Sequence, residues 1–207
     1  MTDPSLQSPL HADRLDENPF SLFESWFAEA KTAEINDPDA MAIASVDEDG
    51  MPSVRMVLLK EVSEAGFVFY TNYESRKSAE LLRTGKAAFV MHWKSLRRQV
   101  RVVGVVEQVP AAQSDAYFAT RHRGSRIGAW ASEQSQPITS RAELADAVDK
   151  IEAKFEDQDV PRPPHWGGFI IKPQEIEFWA DGAYRLHDRF RYVKDADDQW
   201  LATRLNP

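Results

Sequence analysis

The chain has 207 residues, 43% of them hydrophobic, which is enough for one substantial core. Its 25 basic and 33 acidic side chains leave a net charge of −8, which argues against broad nucleic-acid binding or adhesion to an anionic membrane; any anion site has to be local. Cysteine is absent, so disulfides, thiolate metal sites and cysteine nucleophiles are excluded and a reducing cytoplasm is permitted.

Residues 1–17 are polar, carry Pro4 and Pro9, and show neither a basic-then-apolar leader nor an apolar run near the ~20 residues of a membrane span. They read as an arm without its own core, ahead of a single domain over 18–207. Asn18-Pro19 reads as N-cap and first helical residue, and Phe20, Phe23, Trp26 and Phe27 recur at helical spacing up to about Ile35, a stripe for packing. From Ala40 the period changes to two: AMAIASV, a turn at Asp47-Glu48-Asp49-Gly50, SVRMVLLKEV, a turn at Glu64-Ala65-Gly66, and FVFYTN form a β-meander. In RMVLLK the apolar residues between Arg55 and Lys60 fall on both faces, the pattern of a barrel strand buried on both sides. A short helix from Arg76 to about Arg83 precedes two more strands, AAFVMHW and the valine-rich QVRVVGVVEQV.

That short helix places Arg76 and Lys77 directly after the N-cap position Ser75, where the helix dipole is already positive. Each cation there costs a few tenths of a kcal/mol, up to ~1, unless an anion sits at the helix start. A phosphate would reverse the sign, with Thr71 as a further donor; two solvated side chains account for the residues equally well. Residues 111–131 read as a helix interrupted at Gly124. Tyr117 and Arg121 lie four apart, with Ser125 one turn further, so the three suit a second phosphate; basic residues complementing a helix C-terminus are the plain alternative.

Ser140 and Glu143 have capping-box spacing for a helix to Phe155, EDQDVPRPP is a linker, and HWGGFIIKP opens a final meander that ends in a hairpin turned at DADD. Within Ile176–Tyr192, a two-residue period gives a packed face of Tyr184, Leu186, Phe190 and Tyr192 and a cationic face of Arg185, His187, Arg189 and Arg191. Asp181-Gly182 would turn the hairpin and hold Trp179 beside the cations, an arrangement for a flat anionic ligand or, more plainly, a solvated hairpin face. The five histidines show no metal-binding spacing, and there is no Gly-rich phosphate loop or nucleophile elbow.

Taken in order, RMVLLK at 55–60, YTN at 70–72, SRK at 75–77, RQV at 98–100, Tyr117, Arg121, Ser125, Gln134-Ser135, and IEFW followed by RLHDRF resemble the pyridoxine/pyridoxamine 5′-phosphate oxidases, over about Asn18 to Pro207. The resemblance implies a mainly β fold with flanking helices (α+β), an FMN-binding split β-barrel, with FMN at the interface of a homodimer. It implies FMN contacts at Arg55, Met56, Val57, Leu58, Leu59, Lys60, Tyr70, Thr71, Arg76, Lys77, Gln99, Gln134, Ser135, Trp179 and Arg189. It implies a substrate-phosphate grip by Lys60, Tyr117, Arg121 and Ser125, with Arg185, Leu186 and His187 against the substrate ring and Arg185 and His187 as the catalytic candidates. The implied reaction oxidises pyridoxamine or pyridoxine 5′-phosphate at C4′, with O2 as final acceptor giving H2O2, in the cytoplasm and without metal, nucleic acid or membrane. Two departures stand out: Ala180-Asp181-Gly182-Ala183 where the family often has Gln, Gly or His and then glycine, and no Arg-Arg-x-Tyr segment in the arm, where Arg14 is a bare candidate for a lid. A phenazine-type split-barrel oxidase and a non-catalytic flavin or pyridoxal-phosphate carrier are the competing readings.

Overall fold

The structure, a computed structural model, describes Leu10 and residues 15–207, so the arm expected over 1–17, Arg14 included, lies mostly outside the described residues. Leu10 itself is buried in the core, and its carbonyl accepts from Arg204 Nη2 at 3.1 Å.

Helix α1 (Pro19–Ala33) starts where Asn18 Oδ1 accepts from the Phe20 N–H at 2.8 Å and proline fills N1. Its aromatic stripe is core, as expected: Phe23 meets Phe67 edge-on at 5.0 Å and Trp26 meets Phe178 at 5.3 Å. Nine antiparallel strands follow: β1 (Ala40–Val46), β2 (Pro52–Leu58), β3 (Glu61–Ser63), β4 (Gly66–Asn72), β5 (Lys86–Trp93), β6 (Arg98–Gln108), β7 (Trp166–Ala180), β8 (Asp188–Lys194) and β9 (Trp200–Leu205). They pair in the order β2-β1-β5-β6-β7-β4-β3, with β8 also on β7 and β9 on β8. The spine is β7. One edge pairs with β6 from Phe169 to Ala180, while the other pairs first with β4 (Trp166–Ile171 opposite Phe67–Asn72) and then with β8 (Glu175–Ala180 opposite Asp188–Val193). The sheet curls around the core as a half-barrel, and a bulge between Val103 and Gly104 marks where β7 exchanges β4 for β8. Helices α2 (Arg76–Thr84), α3 (Ala111–Ala119), α4 (Arg123–Ala131) and α5 (Arg141–Lys154) lie between strands. No described helix is long and apolar enough to cross a membrane.

Four local expectations are corrected. The run SVRMVLLKEV is two strands, not one, and β2 is an edge strand with one face open: Val54, Met56 and Leu58 are exposed, Met56 at 61%. The break in 111–131 falls at Thr120–His122, and Gly124 sits inside the first turn of α4. Ser75 holds the N-cap position of α2 without the side-chain cap bond; its hydroxyl donates to the Asn72 carbonyl at 2.8 Å instead. Residues 183–187 are not strand: Ala183–Arg185 form a 3-10 turn, and Tyr184 and Leu186 are 94% and 69% exposed rather than packed. Only Phe190 and Tyr192 of that expected face reach the core. Gly182 enables the turn, because a Cβ there would stand 2.0 Å from the Leu186 carbonyl oxygen.

Candidate active site

A cleft of about 500 Å³ opens where β2, β4, the start of α2, the α3–α4 break and the first residue of β7 meet. Met56, Val57, Leu58, Lys60, Tyr70, Thr71, Lys77, Tyr117, Arg121, Ser125 and Gln134, all anticipated from the sequence, line it together. One wall is a near-parallel aromatic stack: Tyr70 lies 4.0 Å from Tyr117 at 11° and 5.5 Å from Trp166 at 7°. Gly168 leaves room for it, since a Cβ there would come within 2.8 Å of the Tyr70 ring. Tyr70 donates to Glu61 Oε1 at 2.5 Å, and burial together with that carboxylate holds its phenol far above its ordinary range.

The cleft has two cationic ends. At one, the Asn72 carbonyl takes the Ser75 and Ser78 hydroxyls and so fixes the β4–α2 turn, while Lys77 is buried and donates to Ser75 Oγ at 2.9 Å and Gln134 Oε1 at 2.7 Å. Thr71 Oγ1 also donates to Gln134 Oε1, at 3.3 Å. These partners are neutral, and burial, helped by the nearby Arg55 charge, lowers the Lys77 pKa to about 8. At the other end the Arg121 guanidinium lies 4.7 Å over the Trp166 ring, and its Nη1 is buried without a hydrogen-bond partner among the described residues. Burial pulls its pKa down too. A buried cation held only by neutral groups is costly until an anion arrives. Lys60, which also lines the cleft, is already paired with Asp39 Oδ2 at 2.7 Å.

Other anticipated residues lie outside the cleft. Arg55 and Arg76 both converge on Glu80, which is buried: Arg55 Nη2 at 3.2 Å and Arg76 Nε at 2.8 Å, with Ser45 and Ser53 donating to the same carboxylate. Burial alone would raise the Glu80 carboxyl, but these donors and the Arg55 charge bring it down to about 2. Leu59 is core, and Ser135 is exposed in the turn after Gln134. Gln99, Trp179, Arg185, Leu186, His187 and Arg189 gather at the far end of β7: Gln99 stands opposite Trp179, the Trp179 and His187 rings are 4.6 Å apart, and Arg185 is exposed. Arg189 is held by Glu177, itself 3% exposed, through Nε at 3.1 Å and Nη2 at 3.0 Å, and Arg101 donates to the same carboxylate. Trp179 lies thirteen positions beyond Trp166, roughly 40 Å of strand contour at ~3.3 Å per residue, and none of the second cluster lines the cleft.

Sequence reasoning missed Trp166, Asn72, Glu80 and Glu177. Trp166 follows Pro-Pro-His and precedes two glycines, a place that reads only as the start of a strand. The two glutamates have partners from distant strands that no local pattern shows.

The fold is shared with FMN-binding split-barrel proteins. It superposes with TM-score 0.89 on PhzG from Burkholderia lata in complex with tetrahydrophenazine-1-carboxylic acid, at 31% identity over 98% of this chain and 100% of that one. A pyridoxamine 5′-phosphate oxidase-related, FMN binding protein from Nostoc punctiforme gives TM-score 0.73 at 13% identity over 92% of this chain and 98% of that one, a likeness of fold. Residues 27–155 match the family model for pyridoxamine 5′-phosphate oxidase, and 166–207 match the pyridoxine 5′-phosphate oxidase C-terminal dimerisation region. Pyridoxine/pyridoxamine 5′-phosphate oxidases of Cereibacter sphaeroides and Brucella canis are both 57% identical, over 92% and 91% of this chain and 96% and 94% of theirs. The chain belongs to the pyridoxamine 5′-phosphate oxidase family, whose members are FMN-dependent oxidoreductases. The residues present fit that cofactor: Lys77, Thr71 and Gln134 at the start of α2 form an anion site lacking an anion partner, and Met56, Val57 and Leu58 offer an apolar strand beside it.

Proposed function

We propose that this chain oxidises pyridoxamine 5′-phosphate and pyridoxine 5′-phosphate to pyridoxal 5′-phosphate, with O2 as electron acceptor giving H2O2, as a homodimer in the cytoplasm. The observation that carries the reading is one cleft with two separate cations, buried Lys77 and half-buried Arg121, neither with an anionic partner among the described residues. Two phosphates, one on FMN and one on the substrate, match that pair.

FMN, when bound, supplies the two-electron redox chemistry. The chain's own work is to hold and align. Lys77, Thr71 and Gln134 hold the cofactor phosphate, and Arg121, Ser125, Tyr117 and Lys60 hold the ester phosphate. Anchoring the substrate by this remote group orients C4′ without any contact to the reacting bond, and each charge-assisted bond contributes about 1.5–3 kcal/mol. For Lys60 the incoming phosphate shares the ammonium with Asp39. The second cluster, Trp179, Arg185, His187 and Arg189, reaches the cleft from a second copy of the chain, a reading supported by its separation from the cleft along β7 and by the match of 166–207 to a dimerisation region. Arg185 and His187 then face the substrate ring. A reducing cytoplasm suits a chain with no cysteine.

The likeness to PhzG keeps a phenazine-type substrate as the second reading. The Arg121 end of the cleft weighs against it, because a phosphate ester brings more charge and one more terminal oxygen to that guanidinium than the single carboxylate of a tetrahydrophenazine carboxylate. Oxygen uptake by the FMN-loaded protein, offered both esters beside pyridoxamine and pyridoxine, decides: consumption confined to the esters supports the proposal. Consumption with a tetrahydrophenazine carboxylate and none with the esters overturns it.

A further inference from the structure

Asp181 stands where the family resemblance is weakest, and the structure gives it two partners. One carboxylate oxygen takes the Arg97 guanidinium; the other, Oδ1, lies 3.1 Å from His187 Nδ1. The backbone closes the same loop, since the Asp181 N–H donates to the Arg97 carbonyl at 3.0 Å. His187 leans on Trp179 with ring centroids 4.6 Å apart. A competing donor is present as well: the Gly182 N–H points at the same Nδ1 from 3.2 Å. The two contacts demand opposite tautomers. Gly182 can donate only to an unprotonated Nδ1, whereas Asp181 can accept only from Nδ1–H.

Asp181 prevails on physical grounds. A hydrogen bond to an ionised carboxylate is roughly twice as strong as one between neutral groups. The Arg97 guanidinium pairs with the other oxygen, so Oδ1 is the one turned to the imidazole.

We propose that Asp181 is a positioning residue whose carboxylate holds the proton of neutral His187 on Nδ1, leaving Nε2 unprotonated to accept a hydrogen bond from a hydroxyl or amino substituent of the substrate. The inference rests on the reading above that His187 faces the substrate. It assigns a role to a residue that the motifs leave out, and it places the hydrogen-bond acceptor on one named atom.

The test uses the FMN-loaded protein with 15N-labelled histidine, at a pH of about 9 where imidazole side chains are neutral. His187→Gln identifies the signal. The expected result is the Nδ1–H form in the unaltered protein, and the Nε2–H form in Asp181→Asn, whose amide can donate to Nδ1 as Gly182 does. Asp181→Asn should also lower kcat/KM for the esters about tenfold or more while FMN stays bound. Arg97→Gln serves as the folding control, since it breaks the ion pair and leaves the Nδ1–H form in place. An Nε2–H form in the unaltered protein, or a tautomer indifferent to Asp181→Asn, overturns the proposal. So does a changed tautomer with unchanged kcat/KM. If neither ester is oxidised by any form, the functional reading fails on its own, and the nitrogen spectra still decide what Asp181 does.

Discussion

Lys77 and Arg121 differ from Lys60, Arg55 and Arg76 around the cleft in having no carboxylate partner among the described residues. Lys77 has a pKa lowered to about 8 by burial, so between that value and its ordinary 10.5 the folded apoprotein binds fewer protons than the unfolded chain. Its charge therefore opposes folding below about pH 8, and a phosphate reverses the balance by favouring the charged form. FMN affinity of the apoprotein should be flat below about pH 8 and fall by up to about tenfold per unit above it, whereas riboflavin, which has no phosphate, should show no such slope; a parallel decline for both in fluorescence titrations would exclude this role. Arg121→Ala should raise KM for the esters roughly 10- to 100-fold and leave the poor turnover of the unphosphorylated vitamins unchanged, as steady-state oxygen uptake would show. Glu80 has the opposite sign. Its folded pKa of about 2 lies below the ordinary 4.5, so its contribution to stability is complete above the ordinary value and is lost as pH falls from 4.5 towards 2. Glu80→Gln should flatten the acid limb of thermal stability in that window, and an unchanged acid limb would count against the Arg55–Glu80–Arg76 network. The cationic signature of the α2 start was legible from residue types alone. What could not be read is which cation is free, because Arg76 meets Glu80 one turn along and Arg55 meets it from β2, whereas Lys77 points inward.

At the level of elements, strand period identified nearly every strand and helical period identified α1, because a face buried against one core repeats at the period of its backbone. The method failed where alternation continued without a ladder. Tyr-Arg-Leu-His alternates as a strand does, yet Gly182 closes a tight loop and Tyr184 and Arg185 take φ of 57° and 66°, the left-handed region, so no pairing forms until Asp188. The break between α3 and α4 was misplaced at Gly124 for a related reason: the chain breaks three residues earlier, and glycine is tolerated in the first turn of α4. The hairpin of β7 and β8 hangs on Glu177, whose carboxylate holds Arg189 and Arg101. Glu177→Gln leaves the packing volume nearly unchanged but removes the charge that aligns Arg189, so it should weaken FMN retention on gel filtration while sparing far-ultraviolet circular dichroism. Full retention of FMN would show that Arg189 needs no such support.

For the whole molecule, the half-barrel presents an open face on β2 and places the two halves of the site at opposite ends of β7. Exposed Val54, Met56 and Leu58 form an apolar edge beside the cleft, a surface expected to be covered in an assembly. No periodicity in the sequence shows a contact between copies, because each partner residue satisfies its own chain's strand rules; the homodimer was expected from the family resemblance alone. The central claim is that each active site draws its cleft from one copy and its Trp179–Arg189 hairpin from the other. The most direct measurement mixes two impaired variants, Arg121→Ala and His187→Ala, by joint unfolding and refolding, and follows oxidation of pyridoxamine 5′-phosphate at a concentration far below the raised KM of Arg121→Ala, where each variant alone is nearly silent. Random pairing makes half the molecules mixed, each with one intact and one doubly altered site, so about a quarter of the unaltered activity should return. Activity no greater than the sum of the two separate variants would contradict the account and put both halves of the site on a single chain.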